Sequence, residues 1–173
     1  MPHLVETYSA SEVGKRYADL KSNASSVKFK ISEEQLSKLK DKVAKALGHA
    51  DIVPTSQDVL TAYVVSVLNR CMDVPIKIVT NAASYRHVPG VLPNPNVAGN
   101  AVYIVPTTLS RVPSPLAETA AETRRSILLS RSRPFVEEYM TAASALMLEA
   151  VNNHRTWIFA PRPDKLSVNS NSS

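Results

Sequence analysis

The chain has a single cysteine, Cys71, which excludes an intrachain disulfide framework and fits a reducing compartment. It has only four glycines, too few for a glycine-rich phosphate cradle, and no nucleophile-elbow pattern is present. Aromatic residues make up 6% of the chain, and no basic stretch is interleaved with them, so a nucleic-acid partner is not expected. No apolar run approaches the length of a membrane span. The opening MPHLVETYSASE lacks the charged, apolar, small-residue order of a signal peptide, so a cytoplasmic location is expected. The four histidines, His3, His49, His87 and His154, include no pair at metal-ligand spacing, and no metal site is expected.

What remains is a globular composition. The 173 residues suit one domain with a substantial core, and hydrophobic residues make up 44%. The net charge of +5 is spread along the chain and reads as a solvated surface with room for a local phosphate contact. The twelve prolines concentrate between Pro75 and Pro115.

The pattern along the chain is mixed. Residues 1–26 show no sustained period and read as an amino-terminal extension ending in the linker SNASS. Val27 to Ile31 alternates apolar and basic, which predicts a short strand. Ser32 and Gln35 form a capping-box pair ahead of the stripe Leu36, Leu39, Val43 and Leu47, and Gly48 supplies the stop. A second helix starts at Thr55 or Ser56, and its core VLTAYVVSVL is apolar nearly all round, which predicts burial on most sides. Ser114-Pro115 opens a third helix with proline at its first position, and Pro134 breaks or restarts it. Trp157–Phe159 and Leu166–Val168 are short strand candidates.

The organising stretch is Ile76 to Pro106. Two β-branched runs flank a proline-broken loop, which ends on Gly99-Asn100 just before the second run. Glycine there permits positive φ or a close approach, and asparagine can present an amide. His87, beside Arg86 in the same loop, is the best lone candidate for acid–base work. The order of elements predicts an α+β chain, a mixed β-sheet with packed helices.

Four motifs in order resemble the carboxyl-terminal half of BAHD-type acyltransferases, nearest the fungal trichothecene-acetyltransferase-like branch. Phe29-x-Ile31-Ser32 before Leu36-x-x-Leu39-Lys40 is similar to the family's strand-to-helix entry. Thr55-Ser56-Gln57-Asp58 before Leu60-Thr61-Ala62-Tyr63 resembles its S-x-x-D helix start. Leu92-Pro93 with Gly99-Asn100-Ala101-Val102 resembles its L-P…G-N-A-V. Leu116-Ala117-Glu118-x-Ala120-Ala121-x-x-x-Arg125-x-Ile127 resembles the helix that follows. The likeness spans residues 27–170, and it implies one half of a chloramphenicol-acetyltransferase-like two-domain fold.

The departures carry equal weight. The family's H-x-x-x-D, whose histidine is the general base, does not occur in this chain, nor does D-F-G-W-G. Where the family has D-x-R, this chain reads Ser84-Tyr85-Arg86. The resemblance therefore implies a fragment, or a half completed by a complementary half-domain or by a homo-oligomer, with no catalytic residue of its own. It implies transfer from acyl-CoA, a co-substrate rather than a bound cofactor, to a small-molecule alcohol or amine. Gly99 and Asn100 are then expected to line the channel with Arg86, the last in a structural role. Lys40 and Lys42 are expected to meet the CoA phosphates as point charges. The alternative is a non-catalytic binding or interaction module that keeps this fold without the chemistry.

Overall fold

Three helix starts in this chain are set by short side chains that satisfy the exposed first-turn amides. Ser9 caps α1 (Ala10–Asn23), Ser32 caps α2 (Glu33–Leu47) and Thr55 caps α3 (Ser56–Cys71). Each is a full capping box, closed by Glu12, Gln35 and Asp58 respectively. The structure, a computed structural model, describes residues 5–48, 51–92, 94, 96, 99–157 and 162–169. Its remaining elements are β1 (Ile78–Ser84), β2 (Val102–Thr108), α4 (Leu116–Ser130), α5 (Arg133–Asn152) and β3 (Lys165–Val168). The architecture is α+β, with five helices and a three-stranded mixed sheet among the described residues.

The chain divides into two compact units, residues 1–29 with 134–160, and residues 30–133 with 161–173. The first unit contains α1 and all of α5 beyond Arg133. An antiparallel bridge, Tyr8 to Thr156, joins its two chain segments, and Arg155 bonds both the Thr7 hydroxyl and the Thr7 carbonyl. The Arg16 guanidinium lies 4.1 Å from the centroid of the Tyr8 ring. Hydrogen bonding from the Tyr8 phenol to the Glu6 carboxylate, 2.8 Å long, holds that phenol above its ordinary range.

The second unit carries the sheet, in the order β2-β1-β3. β1 pairs antiparallel with β2, from Ile78 opposite Thr108 to Ser84 opposite Val102, and parallel with β3. Alternation puts Val79, Asn81 and Ala83 on one face with Tyr103, Val105 and Thr107, and all six are buried. Behind the sheet, Val65 of α3 packs with Ile76, Val79 and Leu109. A second cluster, Val43, Val59, Ala62, Ala117 and Ala120, joins α2, α3 and α4. Three of its five members are alanines, which lets the helix backbones approach closely.

Several expectations need correction. Residues 1–26 contain α1, a 14-residue helix in which most side chains are polar. Residues 27–31 form no strand; the segment is irregular and, up to Lys30, exposed. The Ile31-Ser32 entry into α2 stands, as does the stripe, with Val43 buried and Leu36, Leu39 and Leu47 half-buried. α3 is less enclosed than its composition suggests, since Tyr63 and Val67 are exposed. Pro115 is the N-cap of α4 rather than its first helical residue, and it makes no side-chain cap bond. The Leu166–Val168 strand is present as β3; of Trp157–Phe159, the last two residues lie outside the described residues. Among the described residues no helix is long and apolar enough to cross a membrane.

Candidate functional site

β1 delivers Tyr85 directly into the connection between the two long strands. The Tyr85 amide donates to the Ala101 carbonyl at 3.0 Å, which extends the β1–β2 ladder one step past Ser84. Val88 then donates to the Tyr85 carbonyl at 3.0 Å and Val91 to the Val88 carbonyl at 3.3 Å, so the loop leaves the sheet through two successive turns. Pro89 and Gly90 follow the first of them, and Gly90 adopts φ 75°. That positive φ disfavours any larger residue, and a Cβ at Gly90 would also stand 3.2 Å from the Arg133 guanidinium, which would have to shift slightly.

The loop returns to β2 at Gly99, whose φ is 149° and whose Cβ position is open, so of the two constraints a glycine permits there the backbone angle applies and the close approach does not. The Arg86 guanidinium donates to the Gly99 carbonyl at 2.9 Å. Two of the residues singled out in the sequence are thus brought together, and the bond ties the start of the loop to its end. A cation donating to a carbonyl is stronger than a neutral pair, and no side-chain carboxylate is needed to make it. Asn100 is exposed, and among the described residues its amide meets no hydrogen-bond partner. His87 is exposed on the same loop.

Beneath this loop sits an aromatic pair that the sequence reading did not single out. The rings of Tyr85 and Tyr103 lie 6.0 Å apart at 57°, a tilted edge-to-face arrangement. Both are buried, and the Tyr103 hydroxyl donates to the Ser130 carbonyl at 2.9 Å while lying 3.2 Å from the Ser130 hydroxyl. The pair therefore pins the mouth of the hairpin to the end of α4. The available signal was the placement of one tyrosine just after the first β-branched run and another inside the second.

The lysines behave differently from one another. Lys40 lines a groove of about 210 Å³ at the end of α2, with Asp41, Val43, Leu47, Val53 and Val59 among its walls. Lys42 is exposed and takes no part in it. The groove is mostly apolar, with Asp41 beside the one lysine, so its rim carries no excess of positive charge. Among the described residues no three His, Cys, Asp or Glu side chains stand together as metal ligands would. No protein-family model matches the chain, and no curated protein is significantly similar to it.

Proposed function

We propose that this chain is the carboxyl-terminal part of an acyl-CoA-dependent O- or N-acyltransferase, with the fold of one half of a chloramphenicol-acetyltransferase-like enzyme. The observation that carries the reading is the Arg86–Gly99 tie, which presents Asn100 at the entrance of β2. It falls on the Ser84-Tyr85-Arg86 and Gly99-Asn100-Ala101-Val102 segments that resemble the family, and it gives Arg86 a reason to persist without the aspartate. The capping boxes at Ser32 and Thr55 support the same reading, since both fall in resembling motifs.

In the proposed reaction a histidine from the complementary half removes the acceptor's proton. The acceptor oxygen or nitrogen attacks the thioester carbonyl, and the tetrahedral oxyanion is held by hydrogen-bond donors lining the channel. Collapse expels the CoA thiolate, which takes up the proton. Gly99 and Asn100 line the channel, Arg86 positions them, and Lys40 and Lys42 attract the CoA phosphates as point charges.

The isolated chain is expected to release no thiol from acetyl-CoA in the presence of alcohols or amines. Supplying an amino-terminal half with H-x-x-x-D should produce transfer, and replacing that histidine should remove it. Turnover by the isolated chain that survives His87→Ala would mean an unrecognised base. Failure of every complement would leave the second reading, a non-catalytic binding module.

A further inference from the structure

Four side chains of the second unit carry buried polar atoms that meet no hydrogen-bond partner within the protein. They are the hydroxyls of Thr61, Thr107 and Thr123 and the amide nitrogen of Asn81. Asn81 is the most exposed of the four residues, at 5%. A buried hydroxyl or amide without a partner is uncommon, because it has given up its bond to water and gained none in return. Four in one unit point to a shared cause.

Their positions bring them to one layer. In the β1–β2 register Val79 stands opposite Thr107 and Asn81 opposite Val105, so Asn81 and Thr107 are diagonal neighbours on the buried face of the sheet. α3 lies over that face, where its Val65 packs with Val79, and Thr61 is one turn earlier on the same side of the helix. α4 lies over it as well. The Tyr103 hydroxyl, from the same sheet face, stands 3.2 Å from the Ser130 hydroxyl, and Thr123, two turns before Ser130, shares its side of α4. Ala62 and Ala120 pack the two helices together in one cluster. The sheet, α3 and α4 all belong to the second unit, so the layer is formed within it.

The chemistry of the four groups selects the occupant. None is charged, and the nearest carboxylate in sequence, that of Asp58, is taken by the Thr55 amide and hydroxyl. Three hydroxyls both donate and accept, and the amide nitrogen donates, which suits a small uncharged molecule that does both and not an ion. The groove at the end of α2 is lined by none of the four, so the layer is a separate feature. We propose that ordered water occupies the layer between the buried sheet face and helices α3 and α4, bridging Asn81 and Thr107 on the sheet to Thr61 and Thr123 on the helices. A buried water ordinarily makes about three bonds to groups that would otherwise be unpaired, and this layer supplies them. The helices are then held to the sheet by exchangeable bridges beside the direct contact of Tyr103 with Ser130. The site requires no acyl transfer and stands whether or not that activity exists.

The test is magnetic relaxation dispersion of the water oxygen on the full chain, which registers long-lived internal waters and is blind to proton exchange at hydroxyls. The unmodified chain should show a long-lived component. The double variant Thr107→Val with Thr123→Val keeps the β-branched shape and should lose at least one molecule's share of that component. Thr123→Ser keeps the hydroxyl and should keep the component. The double variant should also melt lower, by roughly 2–4 °C or more, because Asn81 and Thr61 lose their bridges. Absence of a long-lived component in the unmodified chain, or a component unchanged in the double variant, overturns the proposal. A double variant that melts higher with its dispersion unchanged would mean hydroxyls that are merely unpaired, and overturns it as well.

Discussion

Arg86 and Asn100 make opposite predictions although they stand at the two ends of one loop. Arg86 holds the Gly99 carbonyl, whereas Asn100 is exposed and has no described partner. Arg86→Ala should lower stability by about 1–2 kcal/mol, the range for a hydrogen bond to a charged group that remains partly in water. Asn100→Ala should change it by less than about 0.5 kcal/mol, as surface substitutions usually do. Urea unfolding of both variants checks this pair. If Asn100→Ala proves the more destabilising, the loop is anchored by the amide and not by the guanidinium. Any effect of Asn100→Ala is expected in the kinetics of a completed enzyme alone.

The capping boxes are chemically alike at the level of elements, but they differ in burial. Asp58 is 1% exposed and accepts from both the Thr55 amide and the Thr55 hydroxyl at 2.7 Å. Its removal leaves a partly buried amide without a partner, so Asp58→Ala should cost about 1–3 kcal/mol. Ser32 is exposed and water can replace it, so Ser32→Ala should cost less, about 0.5–1 kcal/mol. Thermal unfolding that ranks Ser32→Ala above Asp58→Ala would contradict this account. α1 adds a pH dependence. The Ser9 amide, then the Ser9 hydroxyl, hold the Glu12 carboxyl below its ordinary value of 4.5, with Arg155 adding a smaller effect. A depressed carboxyl stabilises the fold above its unfolded value and loses that contribution as pH falls through the folded one. The start of α1 should therefore fray on acidification below about 4.5, seen as rising amide exchange at residues 10–13, and Glu12→Gln should remove the dependence.

At the scale of the whole molecule, apolar surface remains uncovered in each unit. Tyr63 and Val67 are exposed on α3, Leu128 and Leu129 at the end of α4, and Met147, Leu148 and Val151 on α5. On α3 and on α5 the exposed residues recur at helical spacing, as on a face built to be covered. The purified chain should bind a hydrophobic dye and self-associate with concentration. A monodisperse monomer without dye signal by sedimentation and fluorescence would show that these faces are stable in water as they are.

The sequence by itself determined the elements whose causes are local. Ser32 with Gln35 and Thr55 with Asp58 mark helix starts because the bonds involved span three residues. Gly99 marks a positive φ because only glycine takes it without strain. The α+β class and the two β-branched runs that become β1 and β2 were legible from composition, whereas their antiparallel pairing was not. Non-local causes were not. Whether Val27 to Ile31 becomes a strand depends on a neighbouring edge, and alternation alone cannot supply one. That Arg86 would hold the Gly99 carbonyl depends on how the hairpin closes across thirteen positions, as the donor and acceptor numbers show. The contact of Tyr103 with Ser130 depends on how α4 packs against β2. Whether the apolar faces of α3 and α5 are buried depends on what packs against them, and periodicity registers only that a face is apolar. Tertiary structure alone decided these, because each needs two distant segments to meet.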